Sequence, residues 1–224
     1  MVLVRGGHET ARRFFTPSNA HSYDKVVRRA TFGRDHVWKL QILGALGHHQ
    51  SVLELASGTG VLSTLLDSSG RKVVGLDLNF DYLRASMGKL GLPMAQGTAE
   101  VLPYRNECFD AIVSSYLAKY VDVEILVGEC WRVLKPGGVA IFHDFTYPDG
   151  PIMQRLWGIY FRILRLCATF APEWNVVFEQ LDEVIRKSHW ETRIQHALQS
   201  RGFRNVALKY YTAGTAAIVS AEKP

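Results

Sequence analysis

Only three of the 224 residues are cysteines, Cys108, Cys130 and Cys167, odd in number and far apart. That excludes a disulfide framework and a close-spaced set of zinc ligands, and it fits a reducing compartment. Proline is scarce too, with 8 residues against 19 glycines, both spread along the chain, so a fibrous or low-complexity chain is excluded. No stretch approaches the ~18 uncharged apolar residues of a membrane span, and Met1 to Phe15 mixes Arg5, His8, Glu9, Arg12 and Arg13 with few apolar residues. Neither export nor membrane spanning is expected, and the expected location is cytoplasmic. No internal repeat is present. Basic charge is in mild excess, 26 Lys and Arg over 21 Asp and Glu for a net +5, and it is dispersed. It favours anionic surfaces in general, and without an Asn/Asp-Pro-Pro-Tyr-type base-clamping motif nucleic acid is not an expected partner.

What is present is enough to bury a sizeable core: 47% hydrophobic and 21% charged residues over a length of one domain plus an added helical segment. From about Ser51 to Thr146, short β-branched runs alternate with helical stretches, the pattern of βαβ units and a parallel sheet. Strands are expected at 52–55, 72–78, 93–96, 109–114 and 139–142, and helices from near Leu62, over 79–89 and over 124–134, the last stopped by Lys135-Pro136-Gly137-Gly138. A helix over 194–200 precedes two strands, 206–211 and 215–220, around a Gly214 bend, which close the sheet antiparallel. The fold expected is α/β, a doubly wound, mostly parallel seven-stranded sheet with an antiparallel C-terminal pair and a helical lid. Residues 1–50 form an N-terminal segment, helical from about Ser22, that covers the ligand edge. Residues 51–224 form the main domain, with an aromatic and basic helical insertion at 148–188.

In such a sheet, ligands sit beyond the carboxyl ends of the strands, where a glycine turn allows close backbone approach and the next helix offers free N–H groups. Gly58 and Gly60 occupy that turn, although Gly-x-Gly also serves simple tight turning. Asp77, nineteen residues after Gly58 at the end of the second strand, stands where a carboxylate accepts both hydroxyls of a ribose; capping a helix is its structural alternative. Ser63 stands where a full G-x-G-x-x-G would carry its last glycine, which disfavours a pyrophosphate and favours an adenosyl ligand without phosphate. Glu54, just before the turn, suits the ammonium of an amino-acid moiety, or pairs with a nearby Arg or Lys.

The ordered set Glu54-Leu55-Ala56-Ser57-Gly58-Thr59-Gly60, Asp77, Ala99-Glu100-Val101-Leu102-Pro103-Tyr104, Phe109-Asp110 and Arg132-Val133-Leu134-Lys135-Pro136-Gly137-Gly138 resembles the class I S-adenosylmethionine-dependent methyltransferases, with their Rossmann-like fold. Within them the chain is most similar, from about Tyr23 to Val219, to the ubiquinone/menaquinone biosynthesis C-methyltransferases. Tyr23-Asp24 with Trp38, His143-Asp144-Phe145-Thr146 where that family has Glu-Phe-Ser, and Thr212-Ala213-Gly214 extend the likeness. The resemblance implies S-adenosylmethionine as methyl donor, no metal, and a cofactor set of Tyr23, Glu54, Ala56, Ser57, Gly58, Gly60, Asp77, Leu78, Thr98, Ala99, Glu100 and Ser114. It also implies a lipid-like quinone acceptor. Departures bear on the acceptor pocket: Val26, Val27 and Thr31 replace the family's Met-Asn and Ser, Asp35 stands at its His, and Lys119 replaces an arginine whose bidentate contact lysine does not reproduce. Thr98 replaces its Asp or Asn near the adenine.

Transfer from a sulfonium to a hydroquinone carbon needs in-line positioning, exclusion of water and a base or cation near the phenolic oxygen. Lys119, Tyr116, His143 and Asp144 are the candidates by strand-end position, with capping as the alternative for Asp144. In the insertion, Arg155, Arg162 and Arg165 share a helical face against Leu156, Trp157, Ile159, Tyr160, Phe161, Ile163 and Leu164. This segment, 155–166, either meets a membrane surface or packs on the domain with a solvated basic edge. Trp174, Phe178 and Trp190 are candidate acceptor-cavity residues, although aromatics at such spacing more often belong to the core. The first functional expectation is C-methylation of a demethylated lipid quinone. The alternatives are methylation of another small or lipid-like acceptor at O, N or C, and a non-catalytic S-adenosylmethionine-binding subunit of a quinone-synthesis complex.

Overall fold

The computed structural model describes residues 2–224, with side chains except at 2–5, 89 and 90. Met1, included in the expected N-terminal segment, lies outside the described residues. Four helices come first: α1 (Val2–Phe14), α2 (Pro17–Ala20), α3 (Tyr23–Ala30) and α4 (Arg34–Ala45). The helical segment thus begins at Val2 rather than near Ser22. Pro17 at the first position of α2, with Asn19 Oδ1 accepting the Thr16 amide at 3.0 Å, separates α1 from α2.

The α/β unit then alternates β1 (Ser51–Leu55), α5 (Val61–Ser68), β2 (Lys72–Asp77), α6 (Phe80–Leu90), β3 (Met94–Gln96), β4 (Phe109–Ser115), α7 (Val123–Val133) and β5 (Leu134–Phe145). The insertion is a helical hairpin of α8 (Pro151–Cys167) and α9 (Asn175–Ser188), after which α10 (Trp190–Arg201), β6 (Arg204–Tyr211) and β7 (Ala216–Glu222) complete the chain. The seven strands run in the order β3-β2-β1-β4-β5-β7-β6. β1 to β5 are parallel, and β7 lies antiparallel between β5 and β6. The bend between the last two strands falls at Gly214, in the left-handed region, as expected.

β1 shows why the sheet is covered on both faces. Its residues 52–55 are all buried. Leu53 and Leu55 enter one core with Leu76, Ile112, Phe142 and Trp190, whereas Val52 enters the other with Ile42, Leu62, Leu66 and Ile141. The chain reverses at the middle of the order, between β1 and β4, and both strands point their carboxyl ends toward the N-terminal helices.

The start of β5 also differs from expectation, as does that of α10, which begins at Trp190 rather than Ile194. α7 ends at Val133, before Lys135-Pro136-Gly137-Gly138, and β5 begins at Leu134 rather than Val139. Leu134 pairs with Phe109 and Val139 with Ala111, so residues 135–138 bulge opposite Asp110. Proline is tolerated there because the bulge leaves the ladder, and Gly138 passes so close to the Asp110 carbonyl that a Cβ would fall 2.9 Å from it.

Candidate active site

The glycine turn follows β1 directly, with Ala56, Gly58 and Gly60 all in the left-handed region. The Gly58 amide donates to Asp77 Oδ2 at 2.8 Å, and the Asn79 amide donates to Oδ1 at 2.7 Å. Asp77 is therefore not the cap of α6. Asn79 fills that role, accepting from the Asp81 and Tyr82 amides. Burial raises the Asp77 carboxyl above the ordinary aspartate value, against the opposing pull of these amides.

A cavity of about 410 Å³ opens at this edge, within the size range of small-molecule sites. Ala56, Gly58, Asp77, Leu78, Thr98, Ala99 and Glu100 line it, together with Tyr23 and Tyr116. These nine expected residues are brought together. Glu54, Ser57, Gly60, Ser114, Lys119, His143 and Asp144 do not line it. Glu54 is buried in the sheet and accepts from Ser63 Oγ, and the Lys39 charge also acts on it. Burial pushes its carboxyl up to about 8. Ser57 Oγ turns to Met94, Gly60 acts through its backbone as the N-cap of α5, and Ser114 Oγ is buried without a partner.

Residues 1–50 are the expected cover, but the sequence does not single out the side chains that roof the cavity. His8, Ala11, Arg12 and Phe15, one face running down α1 and just past its end, line it. Their spacing of three, four and seven residues was the available signal. Gly7 lets α1 approach the turn at Ala118–Tyr120: a Cβ there would collide with the Tyr120 carbonyl. His8 Nε2 meets Glu100 Oε1 at 2.8 Å, Asn79 Nδ2 donates to the Phe15 carbonyl at 2.6 Å, and Thr59 Oγ1 donates to Asp24 Oδ1 at 2.5 Å. The last bond ties α3 to the glycine turn.

These features fit an adenosyl ligand. A carboxylate ends β2, the apolar Leu78 and Ala99 stand beside the polar Thr98, and Glu100 Oε2 is buried without a partner at the cavity edge.

Beyond β4 and β5 lies a buried polar cluster. Lys119 Nζ pairs with Asp144 Oδ1, and aromatic rings of Tyr116, Tyr120 and Phe145 surround the ammonium at 5.5, 4.7 and 5.9 Å. Asp144 is thus an ion-pair partner rather than a cap. Burial lowers the Lys119 amine and raises the Asp144 carboxyl, and each offsets the other. His143 Nδ1 lies 3.1 Å from Ser115 Oγ, and burial drives its imidazole well below the ordinary value, so it is neutral at physiological pH. His143 Nε2 and Asp144 Oδ2 are buried without partners.

A second, apolar cavity of about 460 Å³ lies between α3, α8 and α9. Val26, Val27 and Thr31 line it, as do Trp174 and Phe178. Trp190 does not: it is fully buried in the main core and donates to the Phe145 carbonyl at 2.7 Å. Aromatic pairs divide the two cavities. Tyr116 lines the first and stacks at 4.8 Å on Phe145, which lines the second. Tyr23, which lines the first, and Trp174, which lines the second, meet with tilted rings 5.9 Å apart.

A sequence model described as a methyltransferase domain matches residues 53–142. The demethylmenaquinone methyltransferase of Corynebacterium kroppenstedtii is 30% identical over 227 residues, covering 100% of this chain and 98% of its own. The ubiquinone/menaquinone biosynthesis C-methyltransferase of Francisella philomiragia is 30% identical over 216 residues, covering 90% and 86%. Among solved structures, an S-adenosylmethionine-dependent methyltransferase from Thermotoga maritima, described as a possible histamine N-methyltransferase, superposes with a TM-score of 0.66 at 18% identity, covering 93% of this chain and 98% of that one.

Proposed function

The chain belongs to the family of demethylmenaquinone and ubiquinone/menaquinone biosynthesis C-methyltransferases, and on that premise we propose that it methylates a ring carbon of a demethylated lipid quinone in its hydroquinone form. It is an S-adenosylmethionine-dependent methyltransferase. The observation that carries the acceptor reading is the pairing of two cavities: one with the glycine turn and Asp77, the other apolar, meeting at Tyr116 and Phe145. A bipartite acceptor with a polar ring and an apolar tail suits that division.

When bound, S-adenosylmethionine supplies an electrophilic methyl group on a sulfonium. Asp77 and the Gly58 turn would hold its ribose and Leu78, Thr98 and Ala99 its adenine, and α1 with His8, Arg12 and Phe15 would shield it from water. Glu54 acts at one remove, fixing the turn through Ser63. Tyr116 lines the cavity where a phenolic oxygen would be polarised, and the buried Lys119–Asp144 pair and neutral His143 pack behind its ring.

The replacements at Val26, Val27 and Thr31 line the apolar cavity, which favours a second reading, a different small or lipid-like acceptor. Incubating the protein with methyl-labelled donor and a panel of demethylmenaquinol, demethylated ubiquinol precursors and non-quinone phenols decides between them. Label in a quinone C-methyl group supports the first reading; label only in other products overturns it in favour of the second.

The acceptor's lipid nature gives the outer face of α8 a purpose. Trp157 and Phe161 bury its inner face, while Ile152, Leu156, Ile159, Ile163 and Leu166 are exposed, as are Phe170 and, nearby, Phe32. Arg155 and Arg162 are exposed along one edge of this aliphatic stripe, whereas Arg165 turns toward α9, 3.8 Å from Asp182. Phe32, Met153 and Leu156 also border the apolar cavity. This face meets an anionic bilayer peripherally and opens the cavity toward the lipid phase. Among the described residues no helix is long and apolar enough to cross a membrane.

A further inference from the structure

Tyr116 follows β4 in the left-handed region at φ 67°, an unusual conformation for a bulky residue, held by its amide donating to the His143 carbonyl at 2.9 Å. That conformation carries its hydroxyl to α4, where it donates to Asp35 Oδ1 at 2.7 Å. Asp35 is buried and also pairs with Lys39, one turn along the same helix. The Lys39 ammonium lies 5.2 Å from the Tyr116 ring centre and that of Lys119 lies 5.5 Å from it. A phenol is thereby bonded to a carboxylate and flanked by two cations, at the junction of the two cavities.

We propose that Asp35 acts through Tyr116 as the proton acceptor of the methylation reaction, with Lys39 holding its carboxylate in place. This rests on the hydroquinone reading of the acceptor. The O–H bond of the acceptor hydroxyl breaks and its proton forms a bond to Tyr116 Oη, while the proton that Oη carried moves to Asp35 Oδ1. Tyr116 ends neutral, Asp35 ends protonated, and the electron pair left on the acceptor oxygen is delocalised to the ring carbon that takes the methyl group. The S–CH3 bond breaks as the C–C bond forms, with its electron pair left on sulfur. The proton on the methylated carbon is then lost to water as the ring regains aromaticity, and Asp35, through Tyr116, returns a proton to the ring oxygen. Tyr116 never ionises fully, which suits a phenol whose burial and whose neighbouring carboxylate Asp35 raise it well above its ordinary value.

The titratable and charged groups facing this dyad are Tyr23 from α3, Lys39 on α4, Lys119 from the turn after β4, and His143 and Asp144 from β5. Tyr116 is the catalytic residue in this scheme and Asp35 the positioning one.

Asp35→Asn keeps the shape and an acceptor for the Tyr116 hydroxyl but removes the base. With a short-chain demethylmenaquinol, kcat should fall about 100-fold at neutral pH and climb with pH as the acceptor ionises unaided, while KM and calorimetric S-adenosylmethionine affinity stay within about threefold. In the ligand-free protein, the most readily compared signal is tyrosinate absorbance: with the carboxylate gone, Tyr116 should ionise at lower pH than in wild type, with Tyr116→Phe as the blank. Asp35→Asn/Lys39→Met removes both charges and should show the same kinetic loss if the single variant folds poorly. Wild-type kcat and pH profile in a folded Asp35→Asn protein overturn the proposal while leaving the acceptor reading intact. A wild type that binds donor but methylates no quinol overturns both.

Discussion

The Gly58 amide and the Asp77 carboxylate, nineteen residues apart, are joined at 2.8 Å across the carboxyl ends of β1 and β2. One oxygen of the carboxylate fixes the turn and the other fixes Asn79, so the residue organises the cavity as well as offering a ligand contact. Asp77→Ala should weaken S-adenosylmethionine binding by about 10- to 100-fold, the range for losing hydrogen bonds to a charged group. Calorimetry on variant and wild type checks this; equal affinities would remove Asp77 from the cofactor site.

Gly7→Ala tests whether α1 closes the cavity. The added methyl cannot fit against the Tyr120 carbonyl, so α1 should lift at a cost of about 1–3 kcal/mol. Hydrogen exchange in α1 should accelerate and donor affinity should fall, with the sheet still protected. Unchanged exchange and affinity would show that α1 is not a cover.

The Glu54 carboxyl, up to about 8 in the fold against 4.5 ordinarily, makes stability depend on pH. The folded state binds the proton more tightly than the unfolded state. Its contribution is therefore complete below about pH 4.5 and is lost as pH rises toward 8, at up to roughly 1.4 kcal/mol per unit. Glu54→Gln should abolish that loss, so its melting temperature relative to wild type should rise between pH 5 and pH 8. A difference independent of pH would mean that Glu54 is ionised in the fold.

The exposed face of α8 is tested with vesicles. Ile152→Asp/Ile163→Asp should reduce sedimentation with anionic vesicles more than about tenfold, since each aliphatic side chain contributes roughly 1.5–3 kcal/mol when buried. Binding to neutral vesicles should be weaker throughout. Undiminished binding by the variant would place the membrane contact elsewhere or exclude it.

Much of this architecture is written locally. β1, the glycine turn, Asp77 and the Asn79 start of α6 follow from short-range pattern and turn chemistry, and all four stand as expected within a residue or two. The start of β5 was obscured because Pro136 reads as a helix stop, whereas long-range pairing of Leu134 with Phe109 had already ended the helix. Glu54 and Ser114 lie on strands whose carboxyl ends reach the site, but strand alternation and neighbours such as Ser63 decide which side chains reach a cavity. Asp35 was legible only as a departure in the acceptor pocket and residues 1–50 only as a cover. The Tyr116 and Lys39 partners of Asp35 and the side chains of the α1 roof depend on how the N-terminal helices dock, a matter of tertiary contact and not of local sequence.

The most direct test is single-turnover methylation of a short-chain demethylmenaquinol by the wild-type protein with carbon-13-labelled donor, with the product read by nuclear magnetic resonance. One labelled methyl on a ring carbon of the quinone is the expected product. Label on oxygen, or donor bound without transfer to any quinol, would contradict C-methylation of a quinol.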